Sequence, residues 1–186
     1  PAAVHWTSNL DVEELVFENV YGTGISERHH TYEFPDFGRE TEVAYKVVSG
    51  ALVSDVFHFH SPPRLSEDTR IAIYGQTGDN GEVHEYLAPF ILREDPDLVI
   101  QGGGIVKDPD SLRFWNQFWD TADTLLGAIP YMCAKGPKDD SDYWSNYWEF
   151  PEPGNYYSVE VGYASIIVMD ATEDYTSGSR QYGWLI

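Results

Sequence analysis

The sequence holds a single cysteine, Cys133, which excludes an intrachain disulfide and any zinc site built on several thiolates. Its setting, Tyr131-Met132-Cys133-Ala134 behind a proline, reads as a buried strand position rather than a nucleophile. Basic residues are scarce, 11 against 31 acidic ones, for a formal charge of −20. Such a surface repels nucleic-acid phosphates and excludes a DNA- or RNA-binding role. The acids are spread along the chain instead of gathered in a tail, which suits a solvated surface in a secreted or extracellular, salt-rich setting. No run of about eighteen apolar residues is present, so no transmembrane helix is expected. Pro1-Ala2-Ala3 shows neither an initiating Met nor a signal-peptide pattern and reads as a processed or cut end. Internal repeats, low-complexity segments and a nucleophile elbow with Ser, His and Asp partners are also lacking.

What is present supports a packed core: 42% of residues are apolar and 15% aromatic. Residues 1–62 read as a small all-β, sandwich-like domain. Its expected strands are Val4–Thr7, Glu14–Phe17, Thr41–Val48 and Leu52–Phe59, punctuated by Gly22, Gly24, Pro35, Gly38 and Gly50. Phe57 and Phe59 fall on one strand face, His58 and His60 on the other. Ser61-Pro62-Pro63-Arg64 reads as a stiff linker. From there the pattern turns to α/β. Strands are expected at Ile71–Tyr74, Asp97–Ile100 and Ala128–Met132. Between them lie a helix carrying Val83, Leu87, Phe90 and Ile91, which Pro89 should kink or divide, and a second carrying Leu112, Trp115, Trp119, Ala122 and Leu126, capped by Asp110 or Ser111. Further strands are expected at Tyr156–Glu160 and Tyr163–Met169, and a helix starts near Arg180. Alternating β and α elements imply parallel strands with right-handed crossovers, whose carboxyl-end loops build the ligand site. Those loops are 75–81, 102–109 and 135–142.

The three loops read Tyr74-Gly75-Gln76, Gln101-Gly102-Gly103-Gly104-Ile105-Val106-Lys107 and Lys135-Gly136-Pro137-Lys138-Asp139. In order and spacing they resemble the Gly-Asp, His-x-Gly-Asp-x-x-Tyr and Gly-Asn-His-Asp/Glu motifs of calcineurin-like metallophosphoesterases of the purple acid phosphatase type. Trp148-Glu149-Phe150-Pro151, Tyr156-Tyr157-Ser158 and Gln181-Tyr182-Gly183-Trp184-Leu185 are similar to later stretches of that family. The β segment before Pro62-Pro63 resembles the fibronectin-III-like domain of its plant-type members. The resemblance implies the first half of a metallophosphoesterase α/β sandwich over residues 63–186, truncated before the family's remaining His ligands.

The resemblance also places substitutions at the metal ligands. Gln76 stands for the first Asp, Gln101 for the His opening the second motif, and Gly104 for the bridging Asp. Lys107 stands for the iron-binding Tyr, and Pro137 and Lys138 for the Asn and His of the third motif. Two close hard cations need anionic oxygens and imidazole nitrogens, which Gln, Gly, Pro and Lys do not supply. The expectation is a catalytically inactive protein without a metal cofactor, serving a structural or binding role. Half of the family sandwich leaves an apolar sheet face uncovered, so either another protein chain or self-assembly covers it, or the chain is a fragment. The alternative is a metal-dependent phosphomonoesterase with a rearranged two-metal site for Fe, Zn or Mn. Three of the four lysines fall in the site loops. Lys107 and Lys138 are therefore candidates to replace the metal charge and hold an anion such as phosphate. The competing reading pairs these lysines with Asp108, Asp139 and Asp140.

Other signals are weaker. Gly75-x-x-Gly78-x-x-Gly81 before a helix can cradle a phosphate but lacks the Gly-Lys-Ser/Thr of a P-loop. His58 and His60, with His29 and His30 as further members, are metal-ligand candidates or plain solvent-facing histidines. Asp79-Asn80-Gly81-Glu82 and Asp139-Asp140-Ser141-Asp142 resemble calcium-loop fragments without the full pattern. Asp170 ends a strand as a cap or a leftover site carboxylate. The aromatics from Tyr143 to Tyr157 read as core, with sugar stacking as the alternative.

Overall fold

The computed structural model describes residues 2–10, 19–22, 30–65 and 67–186. The expected strand Glu14–Phe17, together with Gly24 and His29, lies outside them. The chain divides into two units, Pro1–Arg64 and Leu65–Ile186.

In the first unit, β1 (Ala2–Thr7), β2 (Asn19–Gly22), β3 (Glu42–Ser49), β4 (Leu52–Val53) and β5 (Phe57–His60) make one antiparallel sheet. β3 is central, pairing β1 on one side and β4 and β5 on the other. A sandwich needs a second sheet, and none occurs among the described residues of this unit. Gly50, at φ 62°, opens the two-residue turn between Ser49 and Leu52, a position that favours glycine. The expected strand Leu52–Phe59 is broken in two. Ser54 turns inward there, donating its N–H to the Val47 carbonyl and accepting the Val47 N–H on its hydroxyl, which ends the β4 ladder. Trp6, Phe34, Phe37 and Phe59 pack edge-on or tilted against one another, with Trp6 Nε1 donating to the Tyr32 hydroxyl at 2.9 Å.

In the second unit, β6 (Ile71–Tyr74), β7 (Leu98–Gln101) and β8 (Tyr131–Cys133) form a parallel sheet in that order. The crossover helices α1 (Gly81–Arg93) and α2 (Leu112–Ala128) pack on each other. Val99, Ala88, Leu125 and Ile129 form the core beneath them. α1 runs unbroken through Pro89. Pro89 is exposed, so the carbonyl it leaves unpaired one turn earlier reaches water. Ser111 is the N-cap residue of α2. The third strand starts later than expected because Ala128 is still helical. Ile129, preceding Pro130, is held extended and ends the helix.

A short helix, α3 (Asp142–Tyr147), was not expected from the sequence. It stacks Tyr143 on Tyr147 with ring centres 6.0 Å apart. It also seats Trp144, 1% exposed, in a core of Trp115, Phe118 and Ala122. The aromatics of this region are therefore packed against each other. The antiparallel pair β9 (Tyr157–Val161) and β10 (Ala164–Val168) and the terminal helix α4 (Arg180–Leu185) complete the unit. Among the described residues, no helix is long and apolar enough to cross a membrane.

Candidate functional site

The loops after β6, β7 and β8 meet at the carboxyl end of the parallel sheet and are laced by hydrogen bonds. Gln101 is fully buried at the end of β7. Its amide nitrogen donates to the carbonyls of Gly103 and Gly75, and its Oε1 accepts the Gly103 N–H at 3.0 Å. Thr77 Oγ1 donates to the Ile105 carbonyl, and the Gly78 N–H to that of Gly104. Both bonds fasten the first loop to the second.

Asp139 fastens the third loop to the second. It has no exposed surface. Its Oδ2 accepts the N–H groups of Gly104 at 2.8 Å and Gly136 at 3.0 Å, and its Oδ1 that of Ile105 at 2.7 Å. Burial raises this carboxyl, while the N–H groups of Gly104, Gly136, Ile105 and Val106 act in the opposite direction. Every oxygen faces donors, so the ionised form fits this cradle. The sequence shows Asp139 as one of a run of acids and gives no sign of this role.

Between the loops lies a cavity of about 510 Å³ lined by Gln76, Gly104, Lys135, Pro137, Lys138 and Met169, among others. Gly104 sits at φ 68°, and a Cβ there would lie 2.7 Å from the Gln76 Cβ. Two features thus disfavour a side chain at Gly104: a left-handed backbone and a neighbour already in the space. No carboxylate or imidazole of the described residues lines this cavity. Among the described residues, no group of three His, Cys, Asp or Glu side chains is placed to hold a metal ion. A two-cation centre does not fit the donors that the loops present.

The lysines separate. Lys107 pairs with Asp79 at 2.5 Å rather than with Asp108, and it does not line the cavity. That contact holds the Asp79 carboxyl below its ordinary range, with a smaller contribution from the Lys138 charge. Lys135, mostly buried, pairs with Asp140 at 2.6 Å. Lys138 is exposed at the cavity wall.

Asp170 lies under the same end of the sheet and is fully buried. Its backbone N–H and C=O are both bound by the Gln181 side chain from α4, and its Oδ1 accepts the N–H and hydroxyl of Thr172. That is a turn-capping role, with Oδ2 left unpartnered. His58 and His60, in the first unit, both face Glu42 across the strand pair, at 3.2 and 3.8 Å.

Sequence reasoning passed over His84. It is 3% exposed on α1 and stacks on Phe118 at 5.5 Å. Its Nδ1 lies 3.2 Å from Thr121 Oγ1 and its Nε2 2.9 Å from the Tyr74 hydroxyl, which lies 2.6 Å from that of Tyr131. Thr121 donates its own proton to backbone carbonyls one turn earlier. The directions follow. His84 Nδ1–H donates to Thr121, Tyr74 donates to Nε2, and Tyr131 donates to Tyr74. Burial lowers the His84 pKa, pushes Tyr74 up to about 12 and raises Tyr131 further. The visible signal was the four-residue spacing of His84 and Ala88 on one helical face.

No family model and no curated protein matches the sequence. The structure is similar to a purple acid phosphatase isolated from yellow lupin (Lupinus luteus) seeds, with a TM-score of 0.73. The fold is metallophosphoesterase-like. The match covers 99% of this chain at 17% identity, and the chain spans 42% of the lupin protein's chain. At that identity the likeness concerns the fold alone.

Proposed function

We propose that the protein is a catalytically inactive metallophosphoesterase-like protein that acts by binding, as a component of an assembly. One observation carries this reading. The cavity at the carboxyl end of the parallel sheet is lined by Gln76, Gly104, Pro137 and lysines, and no carboxylate or imidazole is among its described lining residues. Such a lining does not supply the anionic oxygens and imidazoles that would hold a metal pair and its bound hydroxide. The charge of −20 supports a secreted or extracellular, salt-rich habitat and argues against nucleic-acid partners.

Elemental analysis after incubation with iron, zinc and manganese is expected to find less than about a tenth of a metal per chain, with no hydrolysis of p-nitrophenyl phosphate above buffer. Close to two metals per chain with hydrolysis would establish the other reading, a metal-dependent phosphomonoesterase with a rearranged site.

The same cavity is proposed to take a small anion. Lys138 is exposed on its wall, while Lys107 is engaged by Asp79 and Lys135 by Asp140. Calorimetric titration with inorganic phosphate is expected to show weak binding, reduced about fivefold or more in Lys138→Ala. Equal binding by both proteins would remove the anion from this reading.

A further inference from the structure

We infer that His58 and His60, oriented by Glu42, chelate a late first-row divalent cation, copper(II) above all. The site lies in the first unit. It goes beyond the function proposed above and does not rest on it.

The antiparallel pairing of β3 and β5 fixes the arrangement. Glu42 stands opposite His60, and Ala44 stands opposite His58. Side chains alternate along a strand, so Glu42, Ala44, His58 and His60 share one face of the pair. The other face carries Tyr45, whose ring packs on those of Phe57 and Phe59 with centres 5.6 and 5.9 Å away. This aromatic packing pins the register, because a slip of one residue would exchange the two faces. The two histidines are thereby held two residues apart on one extended strand, roughly 7 Å between their Cα atoms. Imidazole rings on metal–nitrogen bonds of about 2 Å can span that separation.

Glu42 aims both rings. Its Oε1 accepts a hydrogen bond from His58 Nδ1 at 3.2 Å, and its Oε2 lies 3.8 Å from His60 Nε2. A neutral imidazole that donates from one nitrogen presents a lone pair on the other. His58 therefore offers Nε2, and His60, turned to Glu42 by its Nε2, offers Nδ1. A carboxylate behind a ligating imidazole fixes its tautomer and raises its basicity. Here one carboxylate faces two such rings.

The donor set selects the ion. No three donors converge among the described residues, so Glu42 is an orienting group and not a ligand. The histidine side chains are 46% and 60% exposed, which leaves room for water to complete the coordination. Two imidazoles with water oxygens suit the tetragonal geometry of copper(II). The Irving–Williams order then ranks copper above nickel and zinc, and far above iron and manganese. The last two and zinc are held too weakly here to survive removal of excess ion, so this site leaves the low content of those metals expected above unchanged.

The probe is copper(II) itself, titrated calorimetrically into the full chain with glycine as a weak competitor. One ion per chain is expected, bound about tenfold or more tightly than zinc. His58→Asn and His60→Asn, both at exposed positions, should each weaken binding about tenfold or more. Glu42→Gln should weaken it about tenfold, since the amide orients the rings less well. Electron paramagnetic resonance of the copper-loaded chain counts the donors. Two nitrogens are expected in wild type and in Glu42→Gln, and fewer in either histidine variant. A purely structural role for Glu42 would leave both affinity and spectrum unmoved in Glu42→Gln and would remove it from the site. Unchanged binding in His58→Asn and His60→Asn, or uptake of several ions without preference for copper over zinc, overturns the proposal. Loss of binding in the double variant His29→Asn, His30→Asn, with the other two histidines intact, would place the ion there and overturn it as well.

Discussion

Asp139→Asn is expected to destabilise the second unit by about 3 kcal/mol, more than any exposed substitution in the same loops. The change keeps the shape and removes the charge. An amide nitrogen must then face N–H donors that now meet Oδ1 and Oδ2 from Gly104, Ile105 and Gly136. Hydrogen bonds to a charged group contribute roughly 1.5–3 kcal/mol each, and a buried donor left unpaired costs about 1–3 kcal/mol. No water reaches this carboxyl to compensate, because it has no exposed surface. Thermal unfolding followed by tryptophan fluorescence reports on the right unit, since all six tryptophans but Trp6 lie in it. A fall in Tm of roughly 6–12 °C corresponds to that loss in a domain of this size. Asp140→Asn is the control. Its carboxylate is exposed and touches Lys135 at 2.6 Å, so little change is expected. If the two variants unfold together, the loops do not depend on the Asp139 carboxylate.

This places the loop architecture on hydrogen bonds internal to the chain. Asp139 and Gln101 hold three loops in register with donors and acceptors that all belong to the loops themselves. The cavity between them can therefore keep its shape with any occupant or none, which suits a binding site better than a site assembled around its ligand.

How far the sequence reveals this differs by scale. Ile71–Tyr74 was legible to the residue because a short β-branched run is bounded by an arginine and a glycine. The three site loops were legible from glycines and strand ends. Leu52–Phe59 was misread because Ser54 competes with the ladder through its own hydroxyl, a choice settled by the neighbouring strand. α3 was missed because its aromatics read equally as strand or core, and only tertiary packing of Trp144 decides for a helix. Of the residues singled out in those loops, Gln76, Gly104, Pro137 and Lys138 line the cavity, and Lys107 does not. The partners were not legible. Asp139 binds amides 34 and 35 positions away, and Lys107 selects Asp79 over its neighbour Asp108. Contacts of that separation leave no local pattern.

His84 offers the second large effect, because it links stability to pH. Its burial lowers the imidazole pKa, so the native state holds it neutral, with the proton on Nδ1. The unfolded chain takes up a proton near pH 6.5. Below that pH the unfolded state binds more protons than the native one. Stability therefore falls as pH drops from the unfolded value toward the lowered native value, by at most about 1.4 kcal/mol per pH unit from this residue. His84→Ala should cost about 3 kcal/mol at pH 8, from the lost stack on Phe118, the void, and the hydroxyl of Tyr74 left without its acceptor. His84→Gln separates the two contributions. Its amide can donate toward Thr121 and accept from Tyr74 but does not titrate, so part of the stability should return while this residue's acid sensitivity stays absent. Urea midpoints for wild type and both variants at pH 8, 6 and 5 give the answer. The wild type should converge on His84→Gln as the pH falls. Parallel losses in wild type and His84→Gln would mean that protonation of His84 costs the fold nothing, and that the chain from Tyr131 through Tyr74 to Thr121 does not depend on a neutral imidazole.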